Sequence, residues 1–506
     1  MGFGRWHKVV AGLACLPALS ATAQQRRTLT INDVLDVQRI DQATLSPDGN
    51  WVAAVVQRPA RTGEIYGRIA YEIDPTRSDV WLIDVKTGKR RALTDGAADA
   101  AGYWCASWSP DGRRLAVLST QATGGEPRGG DNVRLYIWDR YTGAMTRMSD
   151  TAVMTQTRYG GALHKLDLRG GAVRRSGPHA CNLDEDGAPF LWLDARRLLV
   201  LTLPEGQVSG ILDQYSRPFV SAARTASRLR SGVEPTALAM GSGEARLPRD
   251  ETNRAVLRVV DVTTRRAETV AAIPTYPLRS SLSLWVSPDG KRVAALTPLG
   301  ALQPEAGQIL PNHTDENWTV ERGLSFIDIA PNASIRWVMP PPQARYPLAL
   351  VGWAADGRLA YSARGSQSES EGAQFLPSHE GSVAPQPERA DSDQIKRNIA
   401  MPADGVLLDD RPDLGTVLWS ESGRTGLTLR ISRASTKTTT RDLLTLNNHL
   451  AAIDWGETRL VDYVDRHGQS LKAVAILPPG IALIAATRPS CGSTAGTWCA
   501  ISIVIT

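Results

Sequence analysis

Residues 106–120, Ala-Ser-Trp-Ser-Pro-Asp-Gly-Arg-Arg-Leu-Ala-Val-Leu-Ser-Thr, write out one β-hairpin. Asp111-Gly112 supplies a tight turn, because Gly tolerates positive φ and Asp tolerates it better than most residues. Pro110 pre-sets the entry to that turn. Trp108 on one side, and Leu115 and Val117 on the other, alternate with small or polar residues. That period of two marks half-buried strands.

The chain repeats this phrase. Its copies are Leu45-Ser-Pro-Asp-Gly49, Trp108-Ser-Pro-Asp-Gly112, Trp192-Leu-Asp-Ala-Arg196, Val286-Ser-Pro-Asp-Gly290, Trp353-Ala-Ala-Asp-Gly357, Trp419-Ser-Glu-Ser-Gly423 and Trp455-Gly-Glu-Thr-Arg459. A second phrase lies between copies: an alternating strand, an Asp and a turn. It appears at Val80–Lys89, Leu135–Gly143 and Leu257–Arg265, and more weakly at Leu324–Ala330. Two hairpins per repeat make a four-stranded antiparallel sheet, and such sheets recurring about every 40–65 residues are propeller blades. A parallel solenoid needs shorter periods. Units of strand, helix and strand need helical periodicity between the strands. The expectation is therefore an all-β chain, a seven-bladed β-propeller of four-stranded antiparallel blades, with six or eight as the neighbouring counts. Thr30-Ile-Asn-Asp33, followed by Val34, Leu35, Val37 and Ile40, reads as a short capped helix or turn before the first blade.

The longer spacings hold insertions. Gln121 to Asp131 and Thr155 to Cys181 are Gly- and Arg-rich loops. Pro204 to Arg254 includes a short helical pattern around Tyr215 to Arg230. Gly365 to Asn398 is the most polar stretch, and its composition fits mobile surface.

Composition agrees with a turn-rich β protein. The chain has 506 residues, 42% hydrophobic and 22% charged, with 44 Gly, 31 Pro and 14 Trp against 5 Phe. The net charge is +5. The basic residues fall as pairs beside turns: Arg90-Arg91, Arg113-Arg114, Arg196-Arg197 and Arg265-Arg266. No basic stripe with interleaved aromatics appears, so these read as solvated turn flanks rather than a nucleic-acid surface.

The first residues have the form of an export signal. Arg5, His7 and Lys8 precede an apolar run from Val9 to Ala21, and Ala21-Thr22-Ala23 is a small-residue cleavage site. Residues 1–23 are expected to be removed after Ala23, leaving a periplasmic or secreted chain. Contact with membrane or nucleic acid is not expected of that chain. The compartment is oxidising. Cys105 and Cys181 remain in the body, either as a disulfide or as two buried thiols, and Cys491 and Cys499 lie near the end. These four cysteines do not have zinc-site spacing. No cofactor or metal is expected.

From Leu460 the phrase changes. Val461-Asp-Tyr-Val-Asp-Arg-His-Gly468 leads to Leu471-Lys-Ala-Val-Ala-Ile-Leu-Pro-Pro-Gly480, another hairpin with a Pro-Pro-Gly stop. At this point the chain resembles the exported prolyl oligopeptidase family of serine peptidases. The resemblance rests on the signal segment, the degenerate Ser-Pro-Asp-Gly blades and the last hairpin running into Leu-Pro-Pro-Gly, and covers residues 28–480. Tyr103–Gly112 and Gly130–Asp139 are most similar to lasso peptide isopeptidases, which open the isopeptide-bonded ring of threaded peptides. The resemblance implies a propeller over residues 28–460 that screens a peptide substrate, and the start of an α/β-hydrolase domain at residues 461–480.

The chemistry of that family needs a Ser nucleophile on a strand-to-helix turn, then Asp, then His. No such set is found, and no catalytic residue is assigned. Gly492-Ser-Thr-Ala-Gly496 has Thr494 where the nucleophile belongs. His467 precedes the expected nucleophile and reads as a turn residue. His164, His179, His313, His379 and His449 read as loop residues. The hydrolase domain is thus expected to be essentially missing and the chain inactive. Residues 481–506 follow no strand or helix plan. Codon degeneracy lets them be read two bases later as a charged turn, Tyr-Pro and an apolar strand ending in Gly-Gly. That is what the family places after Pro-Pro-Gly, so a frameshift near Gly480 is expected. The other reading is a stand-alone, TolB-like propeller that binds a peptide or protein. The hairpin from Val461 to Gly480 discriminates, since a self-sufficient propeller has no use for it.

Overall fold

The computed structural model describes residues 26–60, 77–122, 124, 133–148, 150–154, 189–205, 230–232, 254–274, 283–287, 289–301, 320–337, 348–353, 359–363, 374–376, 402, 405–434, 439–477 and 479. The export segment and residues 481–506 lie outside them, as do Cys181, the helical pattern up to residue 229 and most of Gly365–Asn398. The chain divides into two compact units. One is Asn32–Asn447; the other joins Met1–Ile31 to Asn448–Thr506.

The larger unit is built of antiparallel sheets, each a continuous stretch of chain with its strands in sequence order. The first sheet holds β1 (Arg39–Leu45), β2 (Trp51–Gln57), β3 (Ser78–Asp84) and β4 (Arg90–Ala92). The second holds β5 (Tyr103–Trp108), β6 (Arg114–Ser119), β7 (Arg134–Asp139) and β8 (Met145–Arg147). The third holds β9 (Phe190–Trp192), β10 (Arg197–Thr202), β11 (Arg254–Asp261) and β12 (Arg266–Pro274). The fourth holds β13 (Ser283–Val286), β14 (Arg292–Ala301), β15 (Val320–Asp328) and β16 (Arg336–Trp337). Three strands of the fifth are described: β17 (Leu348–Trp353), β18 (Leu359–Ala363) and β19 (Gln374–Leu376). The sixth holds β20 (Val406–Arg411), β21 (Thr416–Gly423), β22 (Gly426–Arg433) and β23 (Thr439–Leu446). Helix α1 (Ile31–Leu35) precedes the first sheet, and α2 (Gly96–Asp99) links the first to the second.

This is the β-propeller. First strands of neighbouring sheets meet one another, β1 with both β5 and β20, and β13 with β17. The apolar faces stack from sheet to sheet. Val55 and Leu82 share a core with Tyr103, Val117, Leu135 and Leu198. Leu199, Leu257 and Ile273 share one with Leu284 and Val293. Ile40, Val52 and Val56 meet Leu408, Leu418 and Leu429, which brings the sixth sheet against the first.

Among the described residues the larger unit holds six sheets. Five of the seven copies of the hairpin phrase stand where expected, at the end of a first strand. Trp419-Ser-Glu-Ser-Gly423 instead lies on the second strand, β21, and its turn leads into β22. The first turn of that sheet is Arg411-Pro-Asp-Leu-Gly415, with no Trp before it. Trp455-Gly-Glu-Thr-Arg459 leads into β24 (Glu457–Val464), which pairs with β25 (Ser470–Leu477) as a two-stranded sheet in the smaller unit. A Trp and a Gly four residues apart mark a hairpin without saying which hairpin of a blade it is.

The turn is the same object at three copies. The carbonyl of Ser46, Ser109 or Ser287 accepts from the N–H of Gly49, Gly112 or Gly290 at 2.8–2.9 Å. Only the Gly is left-handed, with φ of +69°, +67° and +69°. Asp is not, so its role is hydrogen bonding rather than conformational tolerance. Its carboxylate accepts from the Ser hydroxyl at 2.5–2.6 Å and from the backbone N–H two residues on, at 3.1 Å. The Ser hydroxyl in turn accepts from the first N–H of the next strand at 2.8–3.0 Å. In the second phrase, Asp84, Asp139 and Asp261 cap their own turns by accepting from Thr87, Thr142 and Thr264 N–H groups.

The Trp that opens the phrase joins sheet to sheet. Trp108 Nε1 donates to Thr44 O at 3.3 Å, Trp192 Nε1 to Ser107 O at 3.1 Å, and Trp353 Nε1 to Trp285 O at 3.0 Å. Each acceptor immediately precedes the phrase of the sheet before. The first sheet carries Leu45 in place of Trp. There the Asp409 carboxylate accepts from Leu45 N at 2.7 Å, and Arg411 Nη1 donates to Leu45 O at 3.3 Å. Replacing Trp192 by Phe removes the donor while keeping an aromatic in the core. The expected cost is about 1–2 kcal/mol, from one lost hydrogen bond and one uncovered carbonyl. Trp192→Ala is expected to cost about 3–5 kcal/mol. Denaturant titration of both variants measures the difference.

Candidate functional site

Strands alternate in direction, so each sheet has two ends. The first-to-second and third-to-fourth turns lie at one end. The second-to-third connections and the links between sheets lie at the other. Contacts between neighbouring sheets keep the ends in phase: Arg140 Nη1 meets Asp48 Oδ2 at 3.2 Å, Arg114 Nη1 reaches Ala195 O at 3.0 Å, and Arg433 Nη2 reaches Gly49 O at 2.9 Å. Three of the insertions read from the sequence, Gln121–Asp131, Thr155–Cys181 and Pro204–Arg254, leave described strands at the second end; Gly365–Asn398 contains β19 and lies mostly outside the described residues. Long connections carried on a rigid scaffold are where binding residues concentrate.

Four of the first strands carry a β-bulge. The register shifts between Ile40 and Gln42 in β1, Trp104 and Ser107 in β5, Leu350 and Gly352 in β17, and Leu407 and Asp409 in β20. A bulge takes a residue out of the ladder and re-aims its side chain. In β1 the extra residue is Asp41. It is 3% exposed, and its Oδ2 has no hydrogen-bond partner among the described residues. Its Oδ1 stands 4.0 Å from Arg39 Nε, while Arg39 itself donates to Gln57 Oε1 at 3.1 Å. Burial pushes the Asp41 carboxyl up to about 6, against the opposing pull of Arg39 and Arg77.

Next to it, Gln42 spans two sheets. Its Oε1 accepts from Ala106 N at 2.8 Å and its Nε2 donates to Ala106 O at 3.0 Å. Ala106 lies in the β5 bulge, so one amide supplies both partners that the bulge takes away. Cys105 in the same bulge is held at φ +57° and is disulfide-bonded. That excludes the free-thiol reading for Cys105; Cys181, the partner considered for it, lies outside the described residues. Behind this pair a buried ion pair fixes the link between the first two sheets. Arg58 Nη1 meets Asp79 Oδ2 at 2.6 Å and Arg58 Nη2 donates to Ala101 O at 3.0 Å. Asp79 Oδ1 accepts from Thr94 Oγ1 and Gly96 N, both at 2.7 Å. A Cβ on Gly96 would collide with the Ala101 carbonyl and the Arg58 guanidinium, so only Gly fits. Tyr103 donates to Asp99 at 2.5 Å, and burial with that contact holds its phenol above the ordinary value.

This constellation offers a buried carboxyl, an amide and guanidinium groups. The Gln42 amide and the Arg58 guanidinium are spent on the neighbouring backbone and on Asp79, which leaves the Asp41 carboxyl with an oxygen unpartnered among the described residues. Among the described residues, no three His, Cys, Asp or Glu side chains gather as metal ligands. His467 lies in the β24–β25 turn, where its N–H donates to Asp465 Oδ1 at 2.8 Å and its Nε2 accepts from Arg466 Nε at 3.1 Å. His449 sits in the short 3-10 turn Asn448–Ala452. His164, His179, His313, His379 and Thr494 lie outside the described residues. Asp41 and Gln42 were not singled out by the sequence reading. The signal for them was the broken alternation of β1: Ile40, Ala43 and Leu45 are apolar, a step of three and then of two.

No family model matches the sequence, and no curated protein matches it. Solved structures do. Acylaminoacyl peptidase from Pyrococcus horikoshii aligns with 10% identity and TM-score 0.38, over 87% of this chain and 57% of that one. The AtxE2 isopeptidase aligns with 13% identity and TM-score 0.37, over 91% and 61%. TolB from Acinetobacter baumannii aligns with 10% identity and TM-score 0.28, over 81% and 64%. The chain spans less than two thirds of the length of each.

The buried Asp41 has a consequence for stability. Its carboxyl holds a proton in the fold up to about pH 6 and in the unfolded chain only up to about 3.8. Stability therefore falls as the pH rises through that window. Asp41→Asn is expected to raise the melting temperature at neutral pH, by the equivalent of about 2–3 kcal/mol at most. The gain shrinks as the pH is lowered toward 4. Melting curves of both proteins across pH 4–8 check this.

Proposed function

We propose that the chain is the propeller portion of an exported serine peptidase of the prolyl oligopeptidase family, most similar to the lasso peptide isopeptidases. In this reading the propeller gates a peptide substrate, and β24–β25 is the first hairpin of the hydrolase domain. One observation carries it. The two strands pair along their whole length, from Glu457 with Leu477 to Val464 with Ser470. One face carries Leu460, Val464, Val474 and Ile476, which are 63%, 65%, 63% and 74% exposed. A two-stranded hairpin is marginal alone. Four large aliphatic side chains on one exposed face are the pattern of strands made to be covered by further structure. A stand-alone binding propeller has no use for such a pair.

Two further features support the reading. Arg27 bridges to Ile453: its N–H donates to Ala452 O at 2.9 Å, and its carbonyl accepts from Asp454 N at 2.7 Å. Segments from before and after the propeller thus join in one unit, as a second domain assembled from both ends requires. The disulfide at Cys105 fits an oxidising compartment, and with it export and cleavage after Ala23. The long connections at the bulged end would then face the peptide, and the acyl-transfer residues would belong to the hydrolase domain.

Two measurements on the purified 506-residue chain test this. A fluorophosphonate probe is expected to leave it unlabelled; labelling would refute the absence of a nucleophile. A fluorescent lasso peptide is expected to bind saturably and remain intact. Failure to bind while an unrelated protein partner is retained would favour the TolB-like reading instead.

A further inference from the structure

The fold gathers positive charge that the sequence scatters. Lys86, Lys89, Arg90 and Arg91 lie on or beside the third-to-fourth turn of the first sheet. Arg265 and Arg266 lie on the corresponding turn of the third. Lys291 and Arg336 lie on turns of the fourth. All eight are exposed, all lie at the short-turn end, and among the described residues none has a carboxylate within ion-pair distance. Arg91 and Arg336 stack instead on Trp138 and Phe326. The Asp carboxylates of the described turns are occupied. Asp139 pairs with Arg113 at 2.9 Å, Asp261 with Arg196 at 2.6 Å and Asp328 with Arg292 at 2.8 Å. Asp84, Asp111 and Asp289 are turned into their own turns as caps.

The shape of this end limits what it fits. Its described turns are short, and Gly88 and Gly143 close two of them in the left-handed conformation, at φ +73° and +71°. The free cations stand on turns of three different sheets. A single small anion cannot span those sheets, and a rod-like nucleic acid needs a stripe. An extended planar anion meets them all. Tyr141, 76% exposed at the tip of the second sheet's turn, has Arg113 at 5.5 Å over its ring. An aromatic at a flat cationic surface is what an interface with lipid headgroups favours.

We propose that the short-turn end of the propeller is a cationic platform that rests on anionic phospholipid headgroups. The attachment is electrostatic and reversible. It turns the opposite end, with its bulged strands and long connections, away from the surface. The inference is independent of the peptidase reading, since it uses only charges and turns of the larger unit.

Sedimentation with vesicles tests it, using phosphatidylcholine alone and equal parts phosphatidylcholine and phosphatidylglycerol. The full chain is expected to sediment with the anionic vesicles alone and to dissociate as salt is raised. Each basic residue near such a surface is worth about fivefold in partition. The triple variant K86Q/K89Q/R90Q is therefore expected to bind about a hundredfold more weakly. Its melting temperature should be nearly unchanged, because those exposed side chains form no ion pair among the described residues. Tyr141→Ser should weaken partition severalfold at unchanged salt dependence. Equal partition onto both vesicles, no partition at low salt, or an unaffected triple variant would each overturn the proposal. So would binding of DNA or an acidic polypeptide through these residues without any partition onto vesicles.

Discussion

The inner rim of the ring depends on side chains that satisfy the backbone of a neighbouring sheet. The first strand of each sheet is an edge, and an edge presents N–H and C=O groups with no ladder partner. Here the next sheet along supplies the partners. Trp108 reaches Thr44 O, Trp192 reaches Ser107 O and Trp353 reaches Trp285 O. Gln42 takes both the N–H and the carbonyl of Ala106. Where the sixth sheet meets the first, Asp409 and Arg411 do the same for the N–H and carbonyl of Leu45. Apolar stacking alone would let two sheets slide, since it is non-directional. These bonds fix the height of each sheet on the next, and with it the phase of the two ends.

The same device explains the turn phrase. A Trp at the end of a first strand must present its N–H to the neighbour, so the chain has to leave that strand at a defined point. The Ser, Asp and Gly of the turn reverse it there, with the hydroxyl and carboxylate absorbing the N–H groups that the reversal exposes. At the closing contact the first sheet has no Trp and the sixth offers a carboxylate and a guanidinium. Charged partners make shorter and stronger hydrogen bonds than neutral ones. The contact that joins the two ends of the ring in sequence therefore uses the stronger chemistry.

The repeat was legible because turn chemistry is local. Ser, Pro, Asp and Gly act within five residues, and the pattern of alternation around them needs no tertiary knowledge. What defeated the reading was context. Trp419 and Gly423 mimic the phrase, but they serve the second hairpin of their sheet, where Trp419 donates to Ser432 Oγ at 2.9 Å. The true first turn of that sheet has Arg411 in the place of Trp, and the reason lies 366 residues away, at the Leu45 carbonyl. The bulges were equally hidden. Asp41 looks like one more polar residue on an amphipathic strand, and only the ladder shows that it falls between registers. The basic pairs were read singly as turn flanks. Their convergence on one end is a property of strand direction, which no single turn reveals.

That convergence gives the two ends opposite characters. At the short-turn end the Asp side chains of the described turns have ion pairs or act as caps, and the surplus is positive. At the other end Asp41 is buried with an oxygen unpartnered among the described residues, and a bulge puts it there. A buried carboxyl without a hydrogen bond is costly. A bulge also gives up ladder bonds, which Gln42 has to restore from the next strand. Stability alone would replace Asp41 by an apolar residue continuous with Ile40 and Ala43. Departures of this kind from local consistency fall at functional positions. The first strands, near the long connections, are therefore where this propeller gives up stability, while the short-turn end is built from repeated turns that satisfy their own backbone groups.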